Sequence, residues 1–148
     1  LVACLDQAGK ETLKPIEEIE VGDKVLAYDE ETGEQGYKEV VRLFRNKTQE
    51  WHHVFVNGEE IVCTAEHPFY VEGKGFVPAR ELKERDNLLL SDGSKVEIDS
   101  LRIEHVEIPE TTYNFEVKDF HTYYVSHSNV LVHNKCGVYL YRDIIKKP

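Results

Sequence analysis

Cysteine is scarce in this chain of 148 residues: Cys4, Cys63 and Cys136 lie far apart and are odd in number. That fits neither a disulfide framework nor a CxxC metal site. No cluster of Lys and Arg offsets the formal net charge of −10, which argues against nucleic acid or an anionic membrane as partner. No apolar run approaches the ~20 residues of a membrane span, and the first residues lack a signal-peptide pattern. A Gly-rich phosphate loop, an HExxH motif and a His-x-His pair are all missing. Adjacent His52 and His53 would point to opposite faces of a strand, so no metal site is expected. With 41% hydrophobic and 31% charged residues, the chain has enough apolar content for one soluble globular core.

Helical periodicity is nowhere sustained over about ten residues, and the chain reads as mostly β. Leu1 to Leu5 is a short apolar run, broken by the turn-rich Asp6–Lys10. Pro15 with Glu17 and Glu18 starts a short helical turn, and Lys24 to Asp29 alternates like a strand. Tyr37 to Arg45 and Trp51 to Asn57 read as two further strands. Asn57-Gly58 is a strong hairpin signal before Glu60 to Thr64. Val96 to Val106 reads as a strand pair, and Thr112–Val117, Phe120–Val125 and Val130–Val132 as single strands.

An internal repeat organises these elements. Leu13 to Leu26 lies over Phe76 to Leu89 without a gap, so that Pro15 meets Pro78, Glu18 meets Glu81, Ile19 meets Leu82, Asp23 meets Asp86 and Val25 meets Leu88. Each copy is a proline-started turn whose Ile or Leu plugs the core, followed by an acidic turn that feeds a strand. Two copies imply a pseudo-twofold all-β domain built from two similar halves with short helical turns.

The chemistry concentrates at Val130-Leu131-Val132-His133-Asn134-Lys135-Cys136. The side-chain amide nitrogen of an asparagine can add to its own carbonyl, close a succinimide and expel the next residue's amine. A neighbouring imidazole that protonates the departing nitrogen, with donors around the oxyanion, lowers the barrier. Taken alone, the stretch reads first as a strand ending in a turn-forming Asn.

Four segments carry a resemblance. Thr64-Ala65-Glu66-His67 is similar to the Thr-x-x-His motif that follows a hydrophobic strand in inteins and related Hint domains. Asn114 to Val125 resembles their penultimate block, Val130 to Asn134 their last, and the turn at Pro15–Val25 their entry. The resemblance covers nearly all of residues 1–134 and is nearest to bacterial intein-like domains and to Hint domains of bacterial surface or toxin-delivery proteins. It implies the horseshoe-like Hint fold over 1–134, with 135–148 as a flanking, extein-like segment, and a chain acting once, as a monomer, on its own flanks without a cofactor or metal. His67 would weaken the upstream scissile amide during an N-to-S acyl shift to a thioester, with Thr64 positioning that peptide. His121 and His133 would assist cyclisation of Asn134, and Asn114 would be a polar residue facing the nucleophile. The resemblance leaves the compartment open, within a larger secreted or surface protein as one setting.

The sequence departs from the splicing pattern at both ends. Lys135 cannot accept an acyl group, because only oxygen or sulfur forms the branched ester, and Cys136 is one residue out of register as a nucleophile. Cleavage after Asn134 is therefore open while efficient splicing is not expected. At the start, Cys4 stands about five residues too close to Pro15 to be the family's nucleophile, which places that nucleophile upstream and makes Cys4 a strand residue. The rival assignment keeps Cys4 as nucleophile after a shortened hairpin, in which case it should be accessible with a depressed pKa. Cys63 reads as a small core hydrophobe. Two other classes are a catalytically decayed Hint module serving as a linker and hedgehog-type acyl transfer to an external alcohol, which needs no terminal His-Asn.

Overall fold

The computed structural model describes residues 1–29 and 31–133. Strands β1 (Val2–Leu5) and β2 (Glu11–Lys14) form the first hairpin. Its turn is closed by Asp6, whose Oδ1 accepts from the Ala8 and Lys10 amides at 2.8 and 2.9 Å. A 3₁₀ turn (Ile16–Glu18) leads into β3 (Lys24–Tyr28), β4 (Gln35–Val56) and β5 (Glu59–Cys63). β6 (Pro68–Val71) and β7 (Gly75–Pro78) form a hairpin before a second 3₁₀ turn (Ala79–Glu81). β8 (Asn87–Leu89), β9 (Lys95–Val117), β10 (Thr122–Val125) and β11 (Val130–His133) complete the described chain.

The strands pair in the order β10-β11-β6-β8-β9-β4-β3-β1-β2, and a further β1–β10 pairing, Val2 with Val125, ties β10 at one end of the path to β1, next to its other end. Asn57 (φ 49°) and Gly58 (φ 76°) both adopt left-handed backbone at the β4–β5 turn, the conformation that a two-residue type I′ hairpin requires.

The repeat is realised in the hydrogen bonds of its turns. The 3₁₀ turns Ile16–Glu18 and Ala79–Glu81 follow Pro15 and Pro78, and Ile19 and Leu82 terminate them in extended conformation. Asp23 Oδ2 accepts from the Glu20 amide at 2.9 Å, and Asp86 Oδ2 accepts from the Lys83 amide at 2.9 Å. Each aspartate also holds a lysine, Lys14 at 2.9 Å and Lys74 at 3.1 Å. Val40 bonds the backbone of Gly22 and Asp23, while Ile98 bonds that of Arg85 and Asp86. Both copies send equivalent side chains into one core: Ile16 and Ala79, Ile19 and Leu82, Val25 and Leu88 are all buried. The fold is therefore the all-β, two-halved architecture that the sequence implies.

Two strand boundaries differ from expectation. Tyr37–Arg45 and Trp51–Val56 belong to one 22-residue strand, β4, which ends before Asn57, and Val96–Val106, expected as a strand pair, is a single run that joins Thr112–Val117 in the 23-residue β9. The polar stretches between them pair with each other, so the ladder runs through positions whose side chains face solvent on both sides. Pro109, which lacks an amide to donate, falls in the register shift between the pairs Thr48–Glu110 and Glu50–His105.

Because Asp86 ties both a backbone amide and a lysine, Asp86→Ala is expected to cost about 1–3 kcal/mol of folding stability, read from urea denaturation. A loss indistinguishable from zero would show that the turn holds without its aspartate.

Candidate functional site

β11 is apolar until its last residue, and Val130, Leu131 and Val132 are completely buried. It lies between β10 and β6, with His133 opposite Thr122 and Val132 opposite Phe69. That register sets His133 beside His121, the residue preceding β10. The two imidazoles stack at 6.2 Å with an interplanar angle of 17°. On its other side, His133 meets the Phe76 ring of β7 at 5.0 Å and 81°. His121 is exposed and His133 half-buried, so the pair has access to solvent protons.

His67 immediately precedes β6 and is completely buried, its ring edge-on to Phe69 at 5.4 Å. Burial pushes its pKa well below the usual histidine range, and the positive charge that His133 can carry acts in the same direction. His67 is thus a neutral imidazole near neutrality, able to donate one hydrogen bond and accept another. The Thr64–His67 loop is fixed by backbone bonds: the His67 amide donates to the Thr64 carbonyl at 3.2 Å. The Ala79 and Arg80 amides of the second 3₁₀ turn donate to the His67 and Ala65 carbonyls at 2.8 and 2.9 Å. The second copy of the repeat therefore carries the Thr-x-x-His loop. Thr64 Oγ1 is buried and makes no hydrogen bond among the described residues.

Cys4 is a core residue of β1, 1% exposed and paired with Thr12 and Val25. Burial is the largest cause of its raised thiol pKa, with Asp23 and Asp6 adding and Lys14 opposing. That is the reverse of an activated, accessible nucleophile. Asn114 is buried in β9, where its Oδ1 accepts from the Phe115 amide at 2.8 Å and the Tyr123 hydroxyl at 3.1 Å. Cys63 is completely buried with its thiol pKa pushed up by desolvation. Asn134 and Cys136 lie outside the described residues.

His52 and His53 are both buried. His53 is held between Glu60 and Glu104, the latter at 2.7 Å, with Arg102 also 3.4 Å from its Nδ1. Among the described residues no group of His, Cys, Asp and Glu could hold a metal ion. The contact of Phe76 with His133 was not legible beforehand; its only signal was that Phe76 stands at the repeat position of Leu13.

The pretoxin HINT domain family matches residues 8–135. The chain is 42% identical to a bacterial intein-like domain from Clostridium thermocellum, with a TM-score of 0.80 over 90% of this chain and 96% of that one. It is 28% identical to the gp41-1 intein, with a TM-score of 0.66 over 90% and 94%. A DnaB intein from Synechocystis shares the fold at 20% identity, with a TM-score of 0.69 over 90% and 94%. No curated protein matches the chain.

The depressed pKa of His67 links folding to pH. The unfolded chain binds a proton at this residue below about pH 6.5 while the folded one does not. The stability it contributes is therefore present above that pH and lost as pH falls. His52, lowered mainly by burial and opposed by Glu50, acts with the same sign. Between about pH 7.5 and pH 5, His67→Gln is expected to lose less stability than the parent, by up to ~1.4 kcal/mol per pH unit. Equal losses in urea titrations would contradict a buried, neutral His67.

Proposed function

This chain belongs to the pretoxin HINT domain family, within the self-processing Hint/intein superfamily, and we propose that it cuts its own backbone between Asn134 and Lys135. The observation that carries this reading is the stacked His121–His133 pair at the end of β11, one residue before Asn134. Asn134 Nδ2 attacks its own carbonyl carbon and loses a proton. The tetrahedral adduct collapses with cleavage of the carbon–nitrogen bond to Lys135. The departing amine takes its proton from an imidazolium of the His121–His133 pair, leaving a C-terminal succinimide on residues 1–134. Phe76 packs against His133 from the far side, which limits the ring's rotation.

The substrate is the chain's own flanking polypeptide, with 135–148 as the leaving segment. Where a Cys or Ser precedes Leu1, neutral His67 donates a hydrogen bond to the scissile amide of that upstream junction, and Thr64 Oγ1 positions the peptide for an acyl shift. Cys4, buried in the core, is left as a structural residue. Splicing stops short, because Lys135 offers no hydroxyl or thiol to accept the acyl group. The chemistry as written needs no cofactor.

Intact mass of the purified 148-residue chain against time tests the reading. The parent should lose the 135–148 peptide and Asn134→Ala should not. His121→Gln and His133→Gln should slow the loss about 10²–10⁴-fold. A parental mass that never changes would make the domain a decayed linker module instead.

A further inference from the structure

We infer that Thr122 is a positioning residue for His121: its hydroxyl ties the start of β10 to the end of β3 and so holds His121 against His133. The inference rests on the reading of His121 as a proton donor in the cleavage. Among the described residues the exposed His121 imidazole makes no hydrogen bond, and its one ring contact is the stack on His133. Its placement must therefore come from the backbone on either side.

Thr122, the next residue, is completely buried. Its Oγ1 donates to the Tyr28 carbonyl at 2.6 Å and accepts from the Tyr28 amide at 3.1 Å. One hydroxyl thus does the work of a ladder rung between β3 and β10, which share no backbone pairing. Tyr28 is free to take this partner because the adjoining bonds to β4 are made one residue on, where the Asp29 amide donates to the Glu34 carbonyl at 2.7 Å. Ahead of His121 the chain is also anchored, by the Lys118 amide donating to the Glu39 carbonyl at 2.9 Å. Behind it, Gln35 Nε2 donates to the Tyr124 hydroxyl at 3.1 Å. The Thr122 bond is the tie nearest the imidazole, and Thr122 is also the residue that pairs with His133 across the ladder.

The same tie brings a carboxylate to the site. Asp29 is held below the usual carboxylate range first by the Glu31 amide, and His121 acts on it in the same direction. The end of β3 thus presents a negative group that interacts with His121.

Val replaces the hydroxyl by a methyl of similar size and leaves both Tyr28 groups without it, whereas Ser keeps the hydroxyl. Two readouts separate positioning from catalysis. The first is the proton–proton nuclear Overhauser effect between the His121 and His133 rings, recorded in an Asn134→Ala background so that the chain stays whole. The second is the rate of peptide loss with Asn134 intact. Thr122→Val is expected to abolish the ring–ring signal and slow cleavage about 10–100-fold, as for a misplaced catalytic group; Thr122→Ser should retain both. A ring–ring signal that survives in Thr122→Val overturns the inference, whatever the rate. A lost signal with an unchanged rate upholds the positioning role and removes His121 as the proton donor. Should Thr122→Val fail to fold, Thr122→Ser decides: loss of the signal in that folded variant overturns the inference.

Discussion

The burial of Val130, Leu131 and Val132 between β10 and β6 fixes the last described strand in one register. Each such side chain contributes about 1.5–3 kcal/mol when fully removed from water. A slip by one residue would turn the alternate faces of β11 over and carry His133 away from His121. That register is the constraint on which the imidazole pair depends, because it sets His133 beside His121. Phe76 closes the far side of His133, and β10, tied to β3 by Thr122, supplies the near side.

The duplication explains how a small β domain positions two distant motifs. Both copies use the same device, an aspartate that accepts from a turn amide and pairs with a lysine, and both plug the core through the residue that ends the 3₁₀ turn. The second copy has an added task, since the Ala79 and Arg80 amides hold the Thr64–His67 loop. One half of the domain thus supports the Thr-x-x-His loop, while β10 and β11 carry the His121–His133 pair. The two meet electrostatically, since a charge on His133 depresses the pKa of buried His67.

Much of this was legible in the sequence wherever the signal was local. Asn57-Gly58 marked a hairpin because few other pairs tolerate two left-handed residues, and the backbone there has that conformation. The repeat could be read because its Pro, Asp and apolar positions recur in step, and the two turns superpose in their hydrogen bonds. β4 and β9 were read in pieces because polar residues normally mark loops. Here the two polar stretches pair with one another, a partnership set by tertiary topology that no local window contains. Likewise Phe76 and Thr122 carried no distinguishing pattern: their roles come from contacts with His133 and Tyr28, far away in the chain. The inward-facing Cys4 follows from its position in β1, whose burial opposes thiolate formation.

Asparagine cyclisation leaves a chemical record that separates it from every hydrolytic route to the same cut. The most direct test is therefore the mass of the 1–134 fragment at the earliest times after cleavage, in water enriched in heavy oxygen. Cyclisation predicts a fragment one water lighter than the free acid and without label, converting to labelled acid only as the succinimide opens. A fragment that appears from the first as the labelled free acid would show that water, not Asn134, broke the bond.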